Sequence, residues 1–373
     1  MTDWRRSPAL PQGFAREAKI FIRPVGLLSG DAAEAAVETG AARRLAGGRF
    51  AFAACEVLLR EPGVITATIA GIDEVAAWAD YRTTRLLDNM TAPRAQFAGV
   101  AMDSPAIMGV INVTPDSFSD GGDNLEADTA IAQGRAMVEA GAAILDIGGE
   151  STRPGSDAVD GAAERARVLP VIQGLAEVGV PLSIDSRRAR VMAAALEAGA
   201  AVVNDVSALT YDDDALATVA ASGAPVVLMH TQGDPKTMQQ DPIYDCAPLD
   251  VYDYLEGRIE VCAAAGIERR RIAIDPGIGF GKSPLGHNIE ILQRLGLLHS
   301  LGCPLLLGVS RKSFIGRLAG VEAPKDRFAG SLAAGLAILD QGAQILRVHD
   351  VAETKQAVAV WHAMTAPTAN TGG

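Results

Sequence analysis

The sequence predicts an α/β chain: a (β/α)8 TIM barrel preceded by a small α/β N-terminal domain. Three observations carry that expectation. From Ala106 onward, eight short apolar runs alternate with Ala-rich helical stretches, the order of a parallel sheet joined by helices. Several helical stretches end in glycine beside alanine, as at Gly141, Gly199 and Gly342, where a helix stop before the next strand belongs. Polar or glycine-bearing turns follow the apolar runs, at the strand end where such barrels carry their chemistry. A doubly wound open sheet competes, but it usually has fewer strands and a phosphate loop after the first one. No G-x-G-x-x-G stands there.

Residues 1–105 are expected to form the separate N-terminal unit and its linker. Ile20–Val25 reads as a strand, and Asp31–Leu45 as a helix with Asp31 as its N-cap. Arg49–Leu59 and Val64–Ala70 read as further strands, Ile72–Tyr81 as a helix, and Leu87–Pro105 as a mixed connection. No motif with assignable chemistry falls in this unit, so an added structural or assembly domain is the simplest reading. The barrel is expected over 106–373. Its strands are expected at Ala106–Val113, Ala143–Ile147, Pro181–Ile184, Ala201–Val206, Pro225–Met229, Arg271–Ile274, Pro304–Val309 and Gln344–Val348. Helices between them include Ala130–Ala140, Gly161–Val178, Arg187–Ala198 and Leu249–Ala265.

Composition narrows the function. The chain has 373 residues, 49% of them hydrophobic, enough to bury a sizeable core. A net charge of −12 argues against nonspecific binding to nucleic acid or a membrane surface. An anionic substrate must therefore meet a local basic cluster. Cys55, Cys246, Cys262 and Cys303 are far apart, without zinc spacing, which fits a reduced, cytoplasmic chain. Met1–Lys19 has no apolar stretch of the signal-peptide kind. No run of about 18 apolar residues offers a membrane span.

The most informative segment is Asp275-Pro276-Gly277-Ile278-Gly279-Phe280-Gly281-Lys282. A carboxylate at a strand end can accept paired N–H donors from a flat heterocycle. Glycines free the backbone to approach a ligand, and Lys282 could reach the ring's carbonyl side. A P-loop would need glycine at position 276, which is Pro276. Other strand ends are also polar: Asn112 and the run to Gly122, Asp146 to Gly155, Asp185, Asn204-Asp205, Met229-His230, Ser310-Arg311-Lys312-Ser313, and Arg347-Val348-His349. Singly, each has a plain alternative: Asp185 as a helix cap, Asn112 or Asn204 as a turn, His349 as a core histidine, Lys312 as a surface charge. Together, Asp185, Asn204, Asp275 and Lys312 suit a ring. Arg153, Arg347 and His349 suit an anion, with Asn112 as an oxygen ligand for a hard cation. A planar heterocycle bearing a phosphate-type leaving group fits this lining.

With these motifs the chain resembles the dihydropteroate synthase family over about Ala106 to Val358. The two loop signatures, Asn112–Gly122 and Glu150–Gly155, carry the likeness together with Asp275–Lys282, Ser310–Ser313 and Arg347–His349. Ser186 and Thr231 are small departures, standing where the family often has Thr and Met. The resemblance implies condensation of hydroxymethyl-dihydropterin pyrophosphate with p-aminobenzoate, releasing pyrophosphate. It implies a catalytic set of Asp120, Thr152, Arg153, Asp185 and Lys312. Asp185, Asn204, Asp275 and Lys312 would hold the pterin, with Met229 against its face, and Phe280, Lys282, Gly308 and Ser310 are further implied substrate-binding residues. Asn112, Arg347 and His349 would hold the pyrophosphate, with Mg²⁺ at Asn112. Phe118, Pro154 and Ser313, with Thr152 and Arg153, would shape the aminobenzoate pocket. A homodimer through barrel helices is also implied. A pterin-binding methyltransferase barrel would not need Ser310-Arg311-Lys312, the Thr152–Pro154 loop, or Arg347 with His349. A noncatalytic paralogue would have lost site residues, and none is lost.

Overall fold

The computed structural model describes residues 3–78, 81–113, 123–150, 159–233 and 237–368. Among the described residues nine elements precede the barrel: β1 (Asp3–Arg6), β2 (Lys19–Val25), α1 (Gly30–Glu38), β3 (Arg43–Arg44), β4 (Ala51–Phe52), β5 (Ala54–Glu61), β6 (Val64–Gly71), α2 (Ile72–Ala77) and α3 (Tyr81–Thr91). One sheet has the order β1-β6-β5-β2, antiparallel except for the parallel β1–β6 pair. Strands β3 and β4 form a separate antiparallel pair.

Several boundaries differ from expectation. Helix α1 stops at Glu38 instead of running to Leu45, because Thr39 turns its hydroxyl back to Ala35 O at 2.8 Å and Gly40 takes φ +75°. Its N-cap is Ser29, not Asp31. The Asp31 carboxylate instead accepts Thr368 N–H at 2.8 Å and Thr368 Oγ1–H at 2.6 Å. Helix α3 occupies part of the stretch read as a mixed connection. Its buried Thr83, Leu86, Leu87 and Met90 have the spacing of one helix face.

The barrel follows as β7 (Ala106–Asn112), α4 (Asp123–Glu139), β8 (Ile144–Gly148), α5 (Gly161–Leu175), β9 (Leu182–Asp185), α6 (Ala189–Glu197), β10 (Val202–Asp205), α7 (Ala215–Ser222), β11 (Val226–Met229), α8 (Ala247–Ala264), β12 (Ile272–Asp275), α9 (His287–Gln293), β13 (Leu306–Leu307), α10 (Ser313–Ala319), α11 (Phe328–Leu339), β14 (Ile345–Val348) and α12 (Val351–Thr365). Eight parallel strands run in the order β12-β11-β10-β9-β8-β7-β14-β13. A parallel bridge between Ile274 and Leu305 joins the two ends, so the (β/α)8 expectation holds. Strand β13 is shorter than the run Pro304–Val309. Pro304 has no N–H, and Leu305 N–H goes to Gln344 Oε1 at 2.8 Å.

The pleat explains how a packed core can carry a polar site. Residues two apart on a strand share a face. Ile144, Val202, Ala273 and Ile345 belong to one apolar layer with Met108, Val227 and Leu306. Two residues on, about 6–7 Å along the strand, stand Asp146, Asn204, Asp275 and Arg347. The residues between, such as Leu145, Val203, Ile274 and Leu346, pack with the helices in the other core cluster. Phe97 and Met102 join the inner apolar layer. Phe97 is fully buried and pairs with Val100 in a tight hairpin, N–H to O 2.9 Å in both directions. Ala98 and Gly99 at its tip both have positive φ, as a type I′ turn requires. Residues before Ala106 thus plug the barrel.

Among the described residues no helix is long and apolar enough to cross a membrane. All four cysteines are buried and unpaired.

Candidate active site

The polar ring is tied together from β8, β9, β10 and β14. Arg347 donates Nε–H to Asp146 Oδ2 at 2.6 Å and Nη2–H to Asp185 Oδ2 at 2.7 Å. Asn204 donates Nδ2–H to Asp146 Oδ2 at 2.9 Å. Asp146 is fully buried, and its Oδ1 has no hydrogen-bond partner among the described residues. In the sequence Asp146 stands out only as one strand-end residue among several. Its signal is a lone carboxylate inside the apolar run Ile144–Ile147. Arg347, expected at the pyrophosphate, has its Nε and Nη2 committed to these carboxylates. Burial pushes Asp185 well above the ordinary carboxylate range, with Arg347 opposing and Asp146 reinforcing the shift.

Asp275 ends β12 and accepts Gly277 N–H on Oδ1 at 2.7 Å. Burial raises its pKa against the pull of Lys312. The glycines that follow answer a different need from the one expected. A Cβ on Gly277 would collide with His230 O, and one on Gly281 with Gln232 O. Both also take positive φ. They let the loop pack onto the backbone beyond β11, where Met229 is nearly fully buried. Only Gly279 faces Lys312, its Cβ position 3.2 Å from Lys312 Cδ.

Lys282, expected to reach the ring, is fully buried. Its Nζ sits 2.8 Å from His230 Nδ1, 3.3 Å from His230 O and 2.9 Å from Phe280 O. Burial and the adjacent lysine push His230 down to about 2, so the imidazole stays neutral and Nδ1 can accept. Burial likewise lowers Lys282 well below the ordinary lysine value. Lys282 is a strut that ties the Asp275 loop to the end of β11.

Lys312 is the lysine beside Phe280 of the Asp275 loop. Its Nζ lies 4.4 Å from the Phe280 ring centroid and donates to Ile278 O. The preceding Arg311 has φ +60°, a costly conformation for a non-glycine residue. Its surroundings hold it there. Its guanidinium pairs with both oxygens of Asp350, Nε at 3.1 Å from Oδ2, and its N–H donates to Ser331 Oγ at 2.8 Å. Arg327 Nη1 donates to its carbonyl at 3.0 Å. This bend starts α10 with Lys312 as N-cap and an exposed Ser313. Ser310 Oγ lies 3.0 Å from His349 Nδ1 and orients that ring. Gly308 stands beside Arg347, where a Cβ would meet only ordinary contacts.

Asn112 ends β7 half-buried, and no hydrogen bond to a described residue uses its carboxamide. Among the described residues no group of three or more His, Cys, Asp or Glu could hold a metal. A single hard oxygen donor fits Mg²⁺, which commonly keeps waters and substrate phosphate oxygens around one or two protein ligands. Phe118, Asp120, Thr152, Arg153 and Pro154 lie outside the described residues. The stem of segment 151–158 is described. Glu150 Oε1 accepts Val159 N–H at 3.0 Å, and Arg188 donates to Val159 O at 2.6 Å and to Glu150 Oε2 at 2.7 Å.

Comparison with known proteins agrees with this geometry. Residues 108–349 match the family model described as pterin binding enzyme. The dihydropteroate synthase of Neisseria meningitidis serogroup B is 49% identical over 272 residues, 71% of this chain and 94% of that protein. The dihydropteroate synthase of Xanthomonas albilineans, solved with 4-aminobenzoic acid, aligns with a TM-score of 0.69 at 48% identity, covering 74% of this chain and 99% of that one. The same organism's enzyme in complex with 7,8-dihydropteroate aligns with a TM-score of 0.67 at 45% identity, covering 74% and 100%. The match spans the whole polar ring, and the chain belongs to the dihydropteroate synthase family of pterin-binding barrels.

Proposed function

We infer that this chain is a transferase of folate biosynthesis. It condenses hydroxymethyl-dihydropterin pyrophosphate with p-aminobenzoate to give dihydropteroate and pyrophosphate. The observation that carries this reading is the buried ring of Asp146, Asp185, Asn204 and Asp275 around Arg347, on the inner face of the strand ends. Relatives 45–48% identical to this chain have been solved with 4-aminobenzoic acid and with 7,8-dihydropteroate, which supports the substrate pair.

In this reading Asp275 and Asp185 accept N–H groups of the pterin edge, Asn204 adds an amide contact, and Met229 covers a ring face. Lys312, beside Phe280, meets the ring's carbonyl side. Ser310 holds His349 toward the pyrophosphate. Asn112 would hold Mg²⁺, which supplies positive charge to the departing pyrophosphate. The carbon–oxygen bond to pyrophosphate breaks, the aminobenzoate nitrogen bonds to the exocyclic carbon, and the amine gives up a proton. Positive charge on that carbon spreads into the ring that Asp185 and Asp275 hold, so their negative charge favours a dissociative path. Asp120, Thr152 and Arg153, with Phe118, Pro154 and Ser313, are proposed to order the amine and exclude water.

The division into 1–105 and 106–373 is likewise proposed. A homodimer through barrel helices is also proposed, on the family likeness alone. Four unpaired cysteines support a cytoplasmic setting, and the net charge of −12 supports no nucleic-acid or membrane partner. The deciding assay is turnover of the purified chain with both substrates, followed by pyrophosphate release and dihydropteroate formation. Pterin pyrophosphate bound but never coupled to p-aminobenzoate would refute the reading.

A further inference from the structure

The N-terminal domain contributes nothing to the polar ring, yet it grips the segment behind the Asp275 loop. Arg60, on β5, donates Nη1–H to Asp250 Oδ1 at 2.9 Å and pairs through Nη2 with Asp253. Its guanidinium carbon lies 5.1 Å from the centroid of the Phe21 ring. Phe21 is itself fully buried and meets Tyr252 of α8 edge-on at 5.1 Å. Two carboxylates and an aromatic face therefore hold Arg60 against the first turns of α8.

The other oxygen of Asp250 holds the chain that enters α8. Asp250 Oδ2 accepts Asp245 N–H at 2.9 Å and Cys246 N–H at 3.0 Å. These residues directly follow Tyr244, whose hydroxyl donates to Gly281 O at 2.7 Å. Gly281 belongs to the Asp275 loop, and Lys282 after it is the strut to His230. The Tyr244 ring also stands 5.9 Å from His230. A short path thus runs from Arg60 through Asp250 and the Tyr244–Cys246 backbone to the loop that ends at Asp275.

We propose that Arg60 is a positioning residue for the pterin site, so that the N-terminal domain sets the barrel's affinity for its heterocyclic substrate. The proposal rests on the Asp275 loop being the pterin site. A charge-assisted bond to Oδ1 fixes the Asp250 carboxylate, and with it the two backbone N–H groups on Oδ2. Without Arg60 that carboxylate can rotate or hydrate, and the backbone that follows Tyr244 loses one of its restraints. Recognition groups must be held to about half an ångström, so a small shift of Gly281 is felt at Asp275. A mere staple between the domains would lower stability and leave pterin affinity alone.

The test uses the full chain and calorimetry with a nonreactive pterin lacking the pyrophosphate. Arg60→Met is expected to weaken pterin binding about three- to tenfold, the scale of one lost positioning hydrogen bond, with the KM for p-aminobenzoate unchanged. Arg60→Lys, able to reach one carboxylate, should recover part of the loss. Tyr244→Phe should weaken binding to a similar degree, and the Arg60→Met, Tyr244→Phe double variant no further, because both cut one path. A folded Arg60→Met chain with wild-type pterin affinity overturns the proposal, as do losses that multiply in the double variant. If Arg60→Met does not fold, wild-type affinity in Arg60→Lys overturns it. Asp275→Asn is the control: wild-type affinity there would bring down the site reading itself, whereas a loss confined to Asp275→Asn removes only the role of Arg60.

Discussion

Arg347 Nε lies 2.6 Å from Asp146 Oδ2, and the same oxygen accepts Asn204 Nδ2–H at 2.9 Å. One buried carboxylate on β8 therefore orients a cation from β14 and an amide from β10, strands that lie two places to either side of it. With Nδ2 engaged, Asn204 has Oδ1 to offer as an acceptor. Asp146→Asn removes a charge-assisted bond worth about 1.5–3 kcal/mol. Asp146 is also one of the charges that raise Asp185, so its loss should lower the Asp185 pKa. Titration of pterin affinity against pH checks this. Affinity should fall, and the pH below which the remainder disappears should move down. An unmoved profile would show that the two carboxylates do not interact.

Asp275→Asn should separate binding from stability. The variant keeps an acceptor for Gly277 N–H but turns one N–H toward the pterin edge. Pterin affinity should drop about 10- to 100-fold. Stability should move the other way. Burial raises the Asp275 pKa, so the folded chain holds that proton more tightly than the unfolded one. Ionisation therefore costs stability above the raised value and nothing below the ordinary value of about 4. Melting of the ligand-free variant should be higher than wild type at pH 8, with the gap closing as pH falls toward 4.

The two lysines of the site should answer differently to the same replacement. Lys282→Met leaves His230 Nδ1 and two carbonyls without their buried donor, each worth about 1–3 kcal/mol. Large destabilisation is expected. Lys312→Met should melt near wild type and lose pterin affinity or turnover. Parallel melting curves and pterin titrations decide, and a stable Lys282→Met chain would contradict the strut.

Asn112→Ala should raise the Mg²⁺ concentration needed for half-maximal turnover. Binding of a pterin without pyrophosphate should stay the same, because the proposed metal would sit at the other end of the substrate. Wild-type turnover that persists in excess chelator would end the metal assignment.

Phe97→Ala should cost about 3–5 kcal/mol, as expected for truncating a fully buried aromatic. Denaturant melts measure this. The kcat of the folded fraction should remain at wild type, since Phe97 lies in the apolar layer and not in the polar ring.

Much of the barrel was legible because its strands are covered on both faces and read as short continuous apolar runs. The N-terminal strand β1 was not, since all four of its residues are exposed and leave no alternation to detect. Helix α3 was hidden by its polar surface and betrayed only by the spacing of its buried residues. At the site, Asp185, Asn204 and Asp275 could be picked out by their place at strand ends. The partners could not. Arg347 meets carboxylates 201 and 162 residues away in sequence, and Lys282 meets a histidine 52 residues away. Glycines in the Asp275 loop suggested space for a ligand, whereas Gly277 and Gly281 make room for neighbouring backbone.

The two-residue step between the apolar layer and the polar ring limits how this enzyme can change over generations. Inserting or deleting one residue inside β8, β10, β12 or β14 would turn the ring residue outward among the helices and an aliphatic neighbour inward. Such a change would destroy the fold along with the activity, so indels cannot tune the ring. Substitutions within it and length changes in the loops beyond it remain the open routes to new specificity.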